Sequence, residues 1–126
     1  MLVLCHVAAL LAALVHVLIW VMESLRFMRP EVYRRFRVRD DAEAAAIQPW
    51  AFNQGFYNLF LAIGTVVGLI VWCADHDAAG KALVAFGCGS MLAAALVLVA
   101  TDRRMVRAAT FQGLFPLIAL VALVLV

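Results

Sequence analysis

Charge is scarce in this chain: 14% of its 126 residues are Asp, Glu, Lys or Arg, against roughly 25% in an average soluble domain. Outside four apolar runs, one long connection remains, Glu23 to Pro49, and it carries charge without a sizeable apolar core. A separate soluble domain is therefore not expected in these residues. Cysteine is equally sparse. Cys5, Cys73 and Cys88 are read as small buried apolar residues, although Cys5 and Cys73 fall near the same ends of two helices, where an oxidising compartment would allow a disulfide. No nucleotide-binding loop, nucleophile motif or cofactor signature occurs. The closest approach to a metal site is Asp75-His76-Asp77, with His6 as a distant fourth ligand. Adjacent residues rarely converge on one ion, so a solvated turn is expected there and no metal.

What the chain has instead is hydrocarbon. Sixty-seven per cent of it is hydrophobic, with mean hydropathy +1.04. Residues 2–22, 50–73, 82–100 and 108–126 are each near the ~20 residues that a spanning helix needs. They predict an all-α, four-helix transmembrane bundle forming one domain over residues 1–126. The first run lacks a basic leader and a small-x-small cleavage pattern before Glu23, so it is expected to be a retained helix rather than a signal peptide.

The charges that exist orient the bundle. Nine of the ten basic residues lie between Arg26 and Arg39 or between Arg103 and Arg107, whereas the second connection has Lys81 set against Asp75 and Asp77. Short loops rich in Arg stay inside, which places both termini outside. The run Tyr33-Arg34-Arg35-Phe36-Arg37-Val38-Arg39 is expected along the headgroups, with apolar side chains inserted and Arg34, Arg35, Arg37 and Arg39 on anionic lipid rather than nucleic acid. Asp40 and Asp41 should cap a short helix to Gln48, which Pro49 would break or kink before the second span.

At ~100° per residue the first span divides into two sides. Leu10, Leu11, Leu14, Val17, Leu18, Val21 and Met22 face lipid. Cys5, His6, Ala9, Ala12, Ala13, His16, Trp20 and Glu23 face helices. The second span puts Phe52, Phe56, Leu59, Phe60, Ile63, Val66, Val67 and Ile70 outward, and Asn53, Gln54, Tyr57, Asn58, Leu61, Gly64, Thr65, Gly68 and Trp72 inward, with Gly64-x-x-x-Gly68 as a close-packing pair. Gly87, Gly89, Ser90, Ala93 and Ala94 give the third span a small-residue band, a surface that would also serve a homodimer. In the fourth, Gln112-Gly113 repeats Gln54-Gly55, which points to two tandem helical hairpins.

One layer of polar groups results. Glu23, Asn53, Gln54, Tyr57, Asn58 and Gln112 all lie at the arginine-rich end of their spans, with Trp20 above Glu23 and His16 roughly 10 Å deeper along the same stripe. Such a set can bind a small amphipathic or lipid-like ligand, with Glu23 supplying charge, the amides orienting, and Tyr57 and Trp20 forming walls. Three other uses stay open: interhelical hydrogen bonding that only fixes register, an enzyme on a lipid or isoprenoid-like substrate with Glu23 and His16 as catalytic acid and base, and an accessory subunit of a larger membrane complex.

His16 with Glu23 seven residues on, then Asn53-Gln54-Gly55-x-Tyr57-Asn58, then Phe111-Gln112-Gly113, resemble the small bacterial integral membrane proteins of the domain-of-unknown-function family number thirteen hundred and four. Val15 stands where that pattern often has an acidic residue, and Ser24-Leu25 replaces a more apolar pair. The resemblance implies a four-span protein of the bacterial inner membrane and no established activity.

Overall fold

Helix α1 (Leu2–Trp20) runs into a five-residue π turn, Val21–Leu25. In the computed structural model, which describes Met1–Val126, the chain continues through a short α2 (Pro30–Tyr33) and a 3-10 turn, Arg34–Phe36. The long α3 (Asp41–Cys73) follows, then α4 (Asp77–Thr101), a 3-10 turn at Arg103–Met105, and α5 (Val106–Val124). Four segments are long and apolar enough to cross a membrane. Helix α1 packs on α3 and α5, and α4 packs on the same two, so α1 and α4 occupy one diagonal of a square and α3 and α5 the other. The chain is an all-α four-helix bundle in which each span packs on the next.

Small residues explain the close packing. The buried stripe of α1 is Cys5, Ala8, Ala9, Ala12, Ala13, His16 and Ile19, while Leu10, Leu11, Leu14 and Leu18 stay on the outside. Between apolar helices in lipid, association comes from van der Waals contact and interhelical hydrogen bonds rather than from excluding water, so alanine serves better than leucine on the inner face. Where helices come closest, glycine is required. A Cβ on Gly68 would lie 2.8 Å from that of Leu83, and one on Gly113 would lie 2.9 Å from that of Ala95.

Two expectations about these faces are corrected. Gly64 meets nothing within 4 Å, so the Gly64-x-x-x-Gly68 pair is a contact at Gly68 alone. In α4 the inward face is Gly80, Val84, Gly87, Cys88, Met91 and Ala95, with Ala93 and Ala94 exposed and Gly89 open. Three aromatic or branched partners, Trp72, Leu83 and Val84, decide the rotation of this pair, since each seats against a glycine of the facing helix.

The connection after α1 folds on a small core of its own, where no sizeable core was expected. Phe27, Tyr33, Val38, Ala44 and Ala51 form a small second core, with Met28, Phe36 and Ile47 at its edge. The apolar side chains of the basic run thus turn into the protein, and Arg34, Arg35, Arg37 and Arg39 are left exposed. Tyr33 Oη donates to Asp41 Oδ1 at 2.7 Å, and the carboxylate holds that phenol above the usual tyrosine range. Asp40 caps α3 by accepting from the Glu43 N–H at 2.8 Å.

Helix α3 runs through Pro49 without ending there. A proline inside a helix removes one N–H donor and crowds the preceding turn, at about 3 kcal/mol. Ala44 and Ala51, one on each side of Pro49, are both buried in the second core, so tertiary packing holds the helix across the break. Cys5 is buried, with its thiol donating to the Ala119 carbonyl at 3.5 Å, and Cys73 is exposed; all three cysteines are free. No three His, Cys, Asp or Glu side chains gather into a metal-binding group, and His6 stacks on Trp72 with ring centroids 4.6 Å apart.

Candidate functional site

The π turn carries the carboxylate. Arg26 N–H donates to the Val21 carbonyl at 2.9 Å, five residues back, which widens the last turn of the first span. Such single-turn bulges are rare and recur at functional sites. Here it presents two consecutive side chains to α3. Glu23 Oε2 accepts from Asn58 Nδ2 at 2.8 Å, and Ser24 Oγ donates to the Phe52 carbonyl at 2.8 Å. Gly55 lies between them. A Cβ there would overlap Ser24 Oγ and sit 3.1 Å from Glu23 Cβ, so the missing side chain lets the helix bearing Asn58 reach the π turn.

Asn58 is buried, and its amide nitrogen also donates to the Gln54 carbonyl at 3.3 Å. A carboxylate and a carbonyl both accept, so both hydrogens of the NH2 are used and the amide's orientation is settled. Glu23 has no other partner. The two ion pairs of the protein, Arg39 with Glu43 and Arg104 with Asp102, lie elsewhere, and no basic side chain comes within ion-pair distance of Glu23. An ionisable side chain within a span is costly to insert, and one interhelical hydrogen bond offsets only about 0.6 kcal/mol.

Two cavities meet at this residue. One, of about 240 Å³, is walled by Ile19, Glu23, Gln54 and Asn58, by Ala94 and Leu98 of α4, by Met105, Ala108, Phe111 and Gln112, and by Phe36 from the connection. The other, of about 390 Å³, is walled by Glu23, Phe27, Phe36, Val38, Ile47, Trp50, Ala51, Asn53 and Gln54. Glu23, Gln54 and Phe36 are common to both, and Glu23 is the one ionisable group in either wall. A larger cleft of about 500 Å³ near the chain termini has His6 and otherwise aliphatic or sulfur-bearing walls, and offers little to orient a polar ligand.

Most of the expected layer is therefore assembled, and part is not. Glu23, Gln54, Asn58 and Gln112 line the first cavity and Asn53 the second. Tyr57 does not join them. It is 58% exposed, because it lies a residue's rotation, ~100°, from Asn58 and the helix contact at Gly55 turns that side outward. Asn53 and Gln54 are also exposed, reached by the cavities rather than buried against a helix.

Trp20 walls neither cavity at Glu23. Its ring packs edge-on against Phe56 at 5.9 Å, and its Nε1 is buried without a partner. Phe56, expected toward lipid, is half-buried by that contact and sits in a row with Phe52 and Phe60. His16 is fully buried; its Nδ1 donates to the Ala12 carbonyl at 2.8 Å, and its Nε2 has no partner. It lines neither cavity, so His16 and Glu23 are not brought to one site. Phe36 and Ser24 went unrecognised in the sequence. Phe36 lies in an aperiodic loop, where spacing says nothing of direction, and Ser24 faces α3 only because of the π turn.

The family described as protein of unknown function (DUF1304) matches residues 10–124, and the chain belongs to it. Every residue of the cluster around Glu23 falls within that match. No curated protein and no solved structure matches the chain.

Proposed function

We propose that this member of the family binds or carries a small amphipathic or lipid-like molecule whose polar head meets Glu23. The observation that carries the reading is the position of Glu23 in the shared wall of two cavities, held by Asn58 on one oxygen and flanked by the amides of Gln54 and Gln112. Registration of helices needs one or two amides, whereas this cluster spends a carboxylate as well and leaves it without a cation.

The arginine distribution supports an orientation with both termini outside and the site at the cytoplasmic side of a bacterial inner membrane. The exposed Arg34, Arg35, Arg37 and Arg39 would then lie among anionic headgroups. Four helices are few for a carrier, and the exposed face of α4 is where a second copy would pack. Catalysis by a Glu23–His16 pair has less support, since His16 borders neither cavity.

Native mass spectrometry and lipidomics on the purified wild type and Glu23→Gln test the reading. A small molecule that copurifies with the wild type and is lost from a folded Glu23→Gln protein is the expected result. Equal loading of both proteins, or none in the wild type, would overturn it.

A further inference from the structure

The two oxygens of Glu23 are not equivalent. Oε2 is tied to Asn58, while Oε1 has no hydrogen bond, and it is not buried, since the buried side-chain atoms without partners are His16 Nε2 and Trp20 Nε1. The site thus offers one fixed and one open carboxylate oxygen. Arginine is not lacking nearby: Arg26 is three residues on. The fold nevertheless turns Arg26, Arg29, Arg34, Arg35, Arg37 and Arg39 to the exterior.

The rest of the wall suits a cation. Phe36 borders both cavities, Phe111 the first, and Phe27 and Trp50 the second, which gives an ammonium group aromatic surfaces as well as a carboxylate. The amide oxygens of Asn53, Gln54 and Gln112 can accept N–H bonds. Beyond them, Val38, Ile47 and Ala51 make the second cavity apolar enough for a hydrocarbon tail. An anionic head would meet Glu23 as a like charge with no cation in the wall to offset it. None of the exposed arginines lines either cavity.

We infer that the ligand's head is an ammonium group, primary or methylated, on an apolar tail, with the nitrogen against Glu23 Oε1. This rests on reading the two cavities as a ligand site. The same chemistry is offered by a free amphipathic amine and by the headgroup of an aminophospholipid.

The test titrates the full chain, in nanodiscs free of phosphatidylethanolamine, with decylammonium, decanol and decanoate, reading tryptophan fluorescence against empty discs. Decylammonium should bind saturably and at least tenfold more tightly than decanoate. Glu23→Gln should lose at least tenfold for decylammonium alone, and Glu23→Asp should keep part of it. Because Glu23→Gln can disturb folding, Gln54→Lys provides a second route: Gln54 is exposed, and a lysine there would pair with Glu23 and abolish the ammonium preference. Repeating the titration with phosphatidylethanolamine in the discs separates the sources. A severalfold weaker apparent affinity assigns the site to the lipid headgroup, and an unchanged one to a free amine. If decanol or decanoate binds as tightly as decylammonium, the head is not a cation although the cavities still bind. If no probe saturates, both readings fall.

Discussion

Asn58 Nδ2 stands 2.8 Å from Glu23 Oε2, across the interface of α1 and α3 and 35 residues away in sequence. The bond ties the π turn to the one strongly polar side chain of α3 that is fully enclosed at that end. It also leaves the second carboxylate oxygen without a hydrogen bond. Position and availability are thus set together, as a binding group requires.

Removing the amide should expose that coupling. Asn58→Ala is expected to destabilise the protein by about 1–3 kcal/mol, since it leaves a partly buried carboxylate unpaired. Glu23→Ala with Asn58→Ala should cost less than the sum of the two, with a coupling of about 0.6–2 kcal/mol. Reversible unfolding in mixed micelles across the double-mutant cycle measures it, and strict additivity would remove the bond from the account.

The glycines of α3 should split sharply. Gly55→Ala is expected to destabilise by about 1–3 kcal/mol, because its Cβ would overlap Ser24 Oγ, and Ser24→Ala should rescue part of that loss. Gly64→Ala, with nothing within 4 Å, should be neutral or stabilising by up to about 1 kcal/mol through helix propensity. Thermal unfolding of the three variants tests the contrast; equal losses at Gly55 and Gly64 would refute it.

His16 should be replaceable. Its Nε2 is buried without a partner, a state that costs about 1–3 kcal/mol. His16→Met, similar in bulk and apolar, should therefore fold with equal or higher stability and bind ligand as the wild type does. A variant that folds well and loses binding would show His16 to be part of the site.

The orientation proposed from charge can be read by labelling. In a Cys73→Ser background, a cysteine at Arg35 should react with an impermeant maleimide only after the membrane is opened. One at Asp75 should react from outside in intact cells. The reverse pattern would invert the protein and place the site at the other surface.

Which parts of this were legible in the chain depends on the kind of force involved. The leucine and alanine sides of α1 could be assigned from spacing, because its stripe runs unbroken at helical period from Cys5 to Ile19. In α3 the polar residues are crowded, and the four from Asn53 to Asn58 spread over an arc of about 140°. Spacing narrowed the inward side to an arc that wrongly included Tyr57. The connection was misread for a related reason. Phe27, Tyr33 and Val38 have no period, so nothing local announced that they would meet Ala44 and Ala51 instead of lipid.

By itself the sequence determined the four spans, the all-helical class and the common depth of Glu23, Asn58 and Gln112. Those follow from transfer free energies summed along a run and from the fixed rise of a helix, neither of which needs a partner. Only the tertiary structure decided that Asn58 rather than Tyr57 meets Glu23, that Gly55 gives way to Ser24, and that Phe36 borders both cavities. Each of these depends on a contact between segments far apart in the chain, and the π turn at Val21–Leu25 carries Glu23 and Ser24, the two side chains that bond to α3.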